Sequence, residues 1–446
     1  VTATGSPLPG GEFAVTATTS PDPGGRSAVT VTGSRDARDR PPAMATGSPE
    51  AGDRSAVTVT GSTVPGASPA ATVTGSPTAR DRPTLTATDW AHEALGLVLE
   101  RVGETAEQVG DRFPLYADPV DGRWTTTGRG SWTGGFWAGL LWLRAARTGS
   151  ADDRAAAAAV TGRLAPWAGA DTATRGLILW YGTALATRDA TTRALRERAA
   201  KAAVGAFDPE LGLVPWGSAL GGERLRARTD GVPGLVPLLA SAGPEGREAA
   251  ARHLHRHLDL CLPRGGTGRP APAWRLDRTR GWLAEDDPAP GWSRGEAWLL
   301  LAVADALLRA DTPTWRADRL TAAAELLLGD CATLGGPLVP PTDARHPDGP
   351  VDTSAAAITA VALLKLALAP GAVRPTACAA RARAVLHRLA HDHLTRPGGT
   401  RPAGMLLDGC YDAPGGTAVR HELVWGDFFL ALGLAALLGR ADLRRV

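Results

Sequence analysis

Three aspartates stand at the starts of apolar, helix-like stretches: Asp230 in RTDGVPGLVPLL, Asp352 in DTSAAAITAVALL and Asp427 in LVWGDFFLALGL. A carboxyl group in such a place either caps a helix, accepting from its unpaired N–H groups, or faces a cleft and moves protons. The aromatic residues give weight to the second role. Trp132, Phe136 and Trp137 fall in SWTGGFW, Trp216 in LVPWGS, Trp292 and Trp298 flank Arg294 in GWSRGEAW, and Trp425 sits in LVWGDFF. Trp142 belongs to an apolar helix face and reads as core, whereas the others stand at loop-to-helix junctions beside Gly, Arg or Asp. Taken singly, each is most simply a packing residue. As a set they predict a carbohydrate cleft, because sugar rings have apolar faces and polar rims. Arg294 stands at a helix start, where its charge opposes the macrodipole. It calls for an anionic ligand, or for a partner such as Glu296 or Asp287.

Other chemistries lack their residues. His253, His255 and His257 share one helical stretch, but a spacing of two puts them on different faces, against a metal site. No HExxH, GxSxG, GxGxxG or phosphate-loop pattern occurs, so neither a metal nor a cofactor is expected. A net charge of +2 and scattered arginines give no reason to expect nucleic acid. No apolar run of spanning length suggests a membrane partner. The four cysteines, Cys261, Cys331, Cys378 and Cys410, are widely spaced and read as buried reduced thiols. With no basic-then-apolar leader, the expected location is the cytoplasm.

These residues need a scaffold, and its elements are legible. Residues 1–85 repeat variants of one phrase, VTATGSP, AVTVTGS and ATVTGSP, with Phe13 their sole aromatic residue. A segment this poor in apolar bulk predicts disorder. Residues 86–446 form the expected folded domain. Apolar residues recur there at three- and four-residue spacing. They give twelve candidate helices, near 88–109, 134–148, 151–168, 175–188, 190–206, 231–242, 244–261, 294–310, 313–334, 353–369, 374–395 and 422–439. Strand signals are almost absent, although 207–228 and 262–292 have room for a short hairpin. Short turns between neighbours predict antiparallel pairs, and stretches apolar all round, such as 299–308 and 355–368, suit an inner ring. Periodicity alone equally allows a solenoid or an irregular bundle.

The order of the blocks SWTGGFWAGLLWL, RTDGVPGLVPLL, GWSRGEAW, DTSAAAITAVALLKLA and GCYDAPGG…HELVWGDFFLALGLAAL resembles the unsaturated glucuronyl hydrolases. These form glycoside hydrolase family 88, related to the family 105 rhamnogalacturonyl hydrolases. The resemblance implies an all-α fold, an (α/α)6 barrel, and an oligosaccharide substrate bearing a 4,5-unsaturated uronic acid. In that chemistry C4 of the enol ether is protonated, water adds at C5, and the hemiketal collapses to release the remaining sugar. One carboxyl group can act as acid and then as base. Carried over by motif, the resemblance makes Asp230 the acid/base. It places Trp132, Phe136, Trp216, Trp292, Arg294 and Trp298 around the sugar, and Ser354 and Gly416 near its polar groups.

Two positions depart from the pattern. Thr174, in DTATRGLILWYG, stands where a second aspartate is expected, and Asp171 lies three residues earlier. The loop 258–291 lacks the expected histidine and has Arg280 near an expected glutamine. Without the like charge of a partner carboxylate, and with arginines added, Asp230 is expected to be ionised at neutral pH. Two alternatives therefore stand beside the hydrolase. One is a catalytically silent carbohydrate-binding protein on the same fold. The other is a toroid glycosidase for a different sugar, whose second carboxylate would come from Asp171, Asp286, Asp287 or Asp352.

Overall fold

The computed structural model describes residues 88–446 apart from 264, 266 and 267; the low-complexity segment 1–85 lies outside the described residues. The helices alternate between two rings. Six outer helices, α1 (Asp89–Val109), α3 (Ala151–Gly162), α4 (Ala190–Gly205), α6 (Pro244–Cys261), α8 (Ala317–Asp330) and α10 (Pro375–Arg388), keep one polar face. Their inner partners are α2 (Gly134–Thr148), a π-helical turn Gly176–Trp180, α5 (Leu235–Ala240), α7 (Ser293–Leu307), α9 (Thr353–Leu368) and α11 (Val424–Leu437). Each inner element packs on its inner neighbours, and α11 returns to α2, so the ring closes. This is the (α/α)6 toroid. The solenoid and the irregular bundle are set aside by that closing contact.

Burial follows ring position. In α9 both the Ala355–Ile358 run and the Ala360–Leu363 run are buried, and in α11 every residue from Val424 to Ala435 is buried. A helix clasped on both sides needs apolar residues all round, which is why these two show no polar face. Local signals set the ends. Ser150 caps α3 through Asp152 N at 3.1 Å, Asp189 caps α4 through Thr192 N at 2.7 Å, and prolines begin α6 and α10.

The predicted elements differ from the observed ones in two ways. The helix expected at 175–188 is a single π-helical turn followed by turns, and that expected at 231–242 shrinks to α5. Here the inner elements cross closely. A Cβ on Gly176 would lie 2.0 Å from Leu235 N, and one on Gly135 would lie 2.2 Å from Leu177 O. The second difference is strand. A four-stranded antiparallel sheet, in the order β2 (Trp124–Thr127), β1 (Phe113–Ala117), β7 (Thr417–Leu423) and β6 (Gly409–Asp412), links the first and last hairpins of the ring. A three-stranded sheet joins β3 (Arg226–Arg228) to the hairpin β4 (Ala273–Asp277) and β5 (Gly281–Ala284), within the segments where a hairpin was expected. The first sheet left little trace in the sequence, because its strands are short and β1 and β7, which join its two hairpins, lie far apart in the chain.

All four cysteines are free; Cys261, Cys378 and Cys410 are buried and Cys331 is half-buried. Among the described residues no helix is long and apolar enough to cross a membrane.

The close crossing at α2 gives a direct test. Gly135→Ala drives a methyl group into the Leu177 and Ile178 carbonyls, and the fixed backbones on both sides leave it nowhere to go. It is expected to cost about 2 kcal/mol or more, read as a lower denaturation midpoint with unchanged slope.

Candidate active site

One buried ion pair organises the mouth of the ring. Arg294, in the first turn of α7, donates to Asp352 at 2.7 Å; the side chains are 5% and 0% exposed. The same guanidinium also donates to the carbonyls of Cys410 and, at 2.7 Å, Tyr411 on β6. Asp352 meanwhile caps α9, accepting from Ser354 N at 3.0 Å and Ser354 Oγ at 2.6 Å. Two helix starts and one strand are thus held by four groups. Neither expected partner is the one used: Glu296 instead accepts from Arg269 at 2.8 Å. With Asp352 in contact, Arg294 does not stand as a free anion receptor.

Above this pair opens a cavity of about 730 Å³. Asp230 lines it from a short turn, Thr229–Gly231, that packs on α7. It caps no helix, since α5 begins only at Leu235 behind Gly234. Its carboxylate accepts from Arg228 Nε at 3.1 Å and Nη2 at 3.4 Å. Arg228 in turn lies over the Trp216 ring, 5.0 Å from its centre. Burial works against this guanidinium's charge, but Asp230, and beyond it Asp287 and Glu285, hold its pKa above the ordinary value.

Trp132, Thr174, Trp216, Asp230, Trp292, Arg294 and Trp298 all line this cavity. Trp298 is 1% exposed. Thr174 is held by its neighbours: its hydroxyl lies 2.8 Å from that of Thr172, while Ala173 N donates to Trp216 O at 3.0 Å. Asp171 faces away, accepting from Ser218 N at 3.1 Å and Arg224 Nε at 3.1 Å.

Four expected residues stand outside the cavity lining: Phe136, Arg280, Ser354, which is fully buried against Asp352, and Gly416, which is exposed in the turn between β6 and β7. Phe136 is 0% exposed, packed with Tyr181 at 5.3 Å and with Phe428 and Phe429 on the ring axis. Its glycine-flanked position mimicked a loop junction, but α2 already runs inward there, so it supports Trp132 edge-on from below. Arg280 is exposed at the turn between β4 and β5 and does not reach the cavity lining. A two-sided hairpin turn points such a residue outward. Trp425 is fully buried behind Trp132, with ring centres 4.8 Å apart, and so backs the cavity rather than lining it. Asp427 is buried away from the cavity near Glu422, and burial first, then that carboxylate, raises its pKa well above the usual range.

Several cavity residues had no sequence signal that singled them out. Arg228 was within reach, since it precedes Asp230 by two at the end of a strand. Tyr411 reaches Trp132 Nε1, which donates to its hydroxyl at 3.4 Å. Asp343, Arg345 and His346 come from a proline-rich loop. Ser293 N donates to its Thr342 carbonyl at 3.0 Å, fastening that loop to the start of α7. Asp286 and Asp287, by contrast, were among the candidates for a second carboxylate, and both line the cavity from the segment between β5 and α7.

The histidines of α6 also differ from expectation. His253 and His257, four apart, share the buried face with ring centres 4.4 Å apart, while only His255 turns away, to Trp315 O. Val214 N donates to His253 Nδ1 at 3.1 Å, which puts the His253 proton on Nε2. Burial, then the neighbouring His257, holds the His253 pKa well below 6.5, and burial lowers that of His257 to about 4. Among the described residues no three His, Cys, Asp or Glu groups converge as metal ligands.

With the toroid and its cavity in view, comparison with known proteins becomes informative. No family model matches the sequence, and no curated protein matches it. Solved structures do match. The unsaturated glucuronyl hydrolase of Bacillus sp. GL1, described as responsible for glycosaminoglycan degradation, superposes with a TM-score of 0.65 at 22% identity. The match covers 78% of this chain and 96% of that one. The fold is that of the unsaturated glucuronyl hydrolases. A heparin-specific member gives 0.67 at 20% identity, covering 80% of this chain and 99% of that one. The Streptococcus agalactiae enzyme gives 0.67 at 17%, covering 81% and 95%.

Two measurements follow. Asp352→Leu leaves the Arg294 charge buried without its partner, and is expected to cost about 3–5 kcal/mol of unfolding free energy. Stability is also expected to fall in acid. His257 is neutral when folded but titrates near 6.5 once unfolded. Its contribution is therefore complete above pH 6.5 and is lost as the pH falls toward 4. Between pH 7 and pH 5 that loss is roughly 2 kcal/mol, measurable by denaturant titration and smaller in His257→Gln.

Proposed function

We propose that the protein hydrolyses oligosaccharides ending in a 4,5-unsaturated uronyl residue, with Asp230 as proton donor and then base. The observation that carries this reading is the Asp230 carboxyl group, which caps no helix and stands on the wall of a tryptophan-lined cavity in contact with Arg228. The fold shared with several unsaturated glucuronyl hydrolases supports it. Trp132, Trp216 and Trp292 offer flat faces on which a sugar ring can rest, and Arg228 holds the Asp230 carboxylate at the wall of the open cavity.

The reaction needs little else. The Asp230 carboxyl transfers its proton to C4, and the ring oxygen stabilises the cation that develops at C5. Water adds at C5 as the carboxylate takes up a proton. The hemiketal then opens and expels the remaining sugar. Because protonation and hydration both occur at one alkene, a second carboxylate at nucleophile distance is not required. Thr174, in the cavity wall beside Trp216, is compatible with that economy. Its hydroxyl supplies polarity where the resemblance placed a charge. We place the protein in carbohydrate metabolism, acting in the cytoplasm on the fragments that a polysaccharide lyase leaves.

Incubation with lyase-generated disaccharides is expected to remove the absorbance of the conjugated alkene. Asp230→Asn should lower the rate by about 10²–10⁴-fold, the usual contribution of a general acid, while tryptophan fluorescence still reports sugar binding. Constant absorbance with every disaccharide, from acidic to neutral pH, would reject this function. Binding without turnover in the unsubstituted chain would favour the silent carbohydrate-binding protein.

A further inference from the structure

The charges around the cavity bear on which sugar stands next to the uronyl ring. Three arginines line it, and each already touches an aspartate. Arg228 holds Asp230 at 3.1 Å, Arg294 holds Asp352 at 2.7 Å, and Arg345 holds Asp343 at 2.6 Å. Five aspartates line the same cavity: Asp230, Asp286, Asp287, Asp343 and Asp412. Three arginines against five aspartates leave two negative charges uncompensated, before Asp352 behind Arg294 is counted. The His346 ring nitrogen lies 3.1 Å from the Asp343 carboxylate, which Arg345 already holds.

The surplus has a location. Asp286 and Asp287 are exposed in the segment between β5 and α7, and Asp412 is exposed at the end of β6. Asp287 acts on Arg228 from beyond contact, and Asp286 acts likewise on Arg345, so each shares a guanidinium that another aspartate occupies. Among the described residues Asp412 accepts only from the backbone N–H of Gly415, at 3.1 Å. The floor is thus balanced and the rim is acidic. When Asp230 takes up the proton that the reaction needs, Arg228 loses its contact anion and can turn to the uronyl carboxylate. That accounts for one substrate anion and, among the described lining residues, leaves no unpaired arginine for a second.

We infer that the cavity accepts an unsaturated uronyl residue joined to an uncharged or amine-bearing sugar. Sulfated sugars are turned away, with Asp286, Asp287 and Asp412 as the discriminating residues. The inference rests on the proposed unsaturated-uronyl activity and specifies its substrate. A sulfate near the rim meets like charges through solvent, so its penalty is moderate and depends on salt.

The test uses unsaturated chondroitin disaccharides with and without one sulfate. At low ionic strength kcat/KM is expected to favour the unsulfated sugar by roughly fivefold or more. The preference should shrink as salt is raised, and shrink again in the Asp286→Asn/Asp287→Asn chain. Binding of the same pair to Asp230→Asn, followed by tryptophan fluorescence, gives the ratio without turnover. Equal or better use of the sulfated sugar by either measure overturns the inference. So does a preference indifferent to both salt and the double substitution. If neither sugar is turned over but binding keeps the ratio, the activity falls and the charge selection stands. If neither binds, both fall.

Discussion

Arg294 and Asp352 form the contact on which the mouth of this toroid depends. An arginine at the start of a helix is electrostatically misplaced, because the helix end already carries partial positive charge. Here the cost is offset by a carboxylate that is itself engaged in capping the next inner helix, and by two strand carbonyls that take the remaining N–H groups. Each member needs the others. Without Asp352 the guanidinium is a buried unpaired charge, and without Arg294 the first turns of α7 and α9 lose the link that sets their spacing.

Everything that faces the cavity is referred to that spacing. The turn bearing Asp230 packs on α7, Trp292 occupies the cap position at the start of that helix and Trp298 rides on it. Trp132 rests on Trp425 and Tyr411, which arrive from α11 and β6. Below them Phe136, Tyr181, Phe428 and Phe429 fill the ring axis, so the cavity has an aromatic floor and cannot run through the barrel. Rigid inner helices carry the floor, whereas the segments at 285–289 and 341–350 carry the charged rim. Such a division lets the chemistry of the rim vary while the fold stays the same.

Much of the site could be read from the chain because its residues sit in short local blocks. Asp230, Trp132, Trp216, Trp292 and Trp298 each stand at a break in helical periodicity, and a break at one end of a ring is where a cleft opens. Phe136 and Arg280 show the limit of that reasoning. Both are near such breaks, yet one points into the packed axis and the other out from a hairpin turn. The partner of Arg294 lies 58 residues away and could not be found by searching nearby acids. The loop bearing Asp343, Arg345 and His346 has no periodicity to mark it.

What the chain discloses unaided is what short-range spacing encodes: alternating helices, two of them apolar on every face, and a set of aromatic and acidic residues at their starts. Periodicity reports which face of an element is buried, and so it marked the helices clasped on both sides while leaving a ring, a solenoid and an irregular bundle open. It does not report which element lies against which, and ring closure, the sheet joining first and last hairpins, and the pairing of each arginine became visible only in three dimensions. Charge balance in a cavity is a sum over residues brought together from across the chain. For that reason the acidic rim belongs to the tertiary structure.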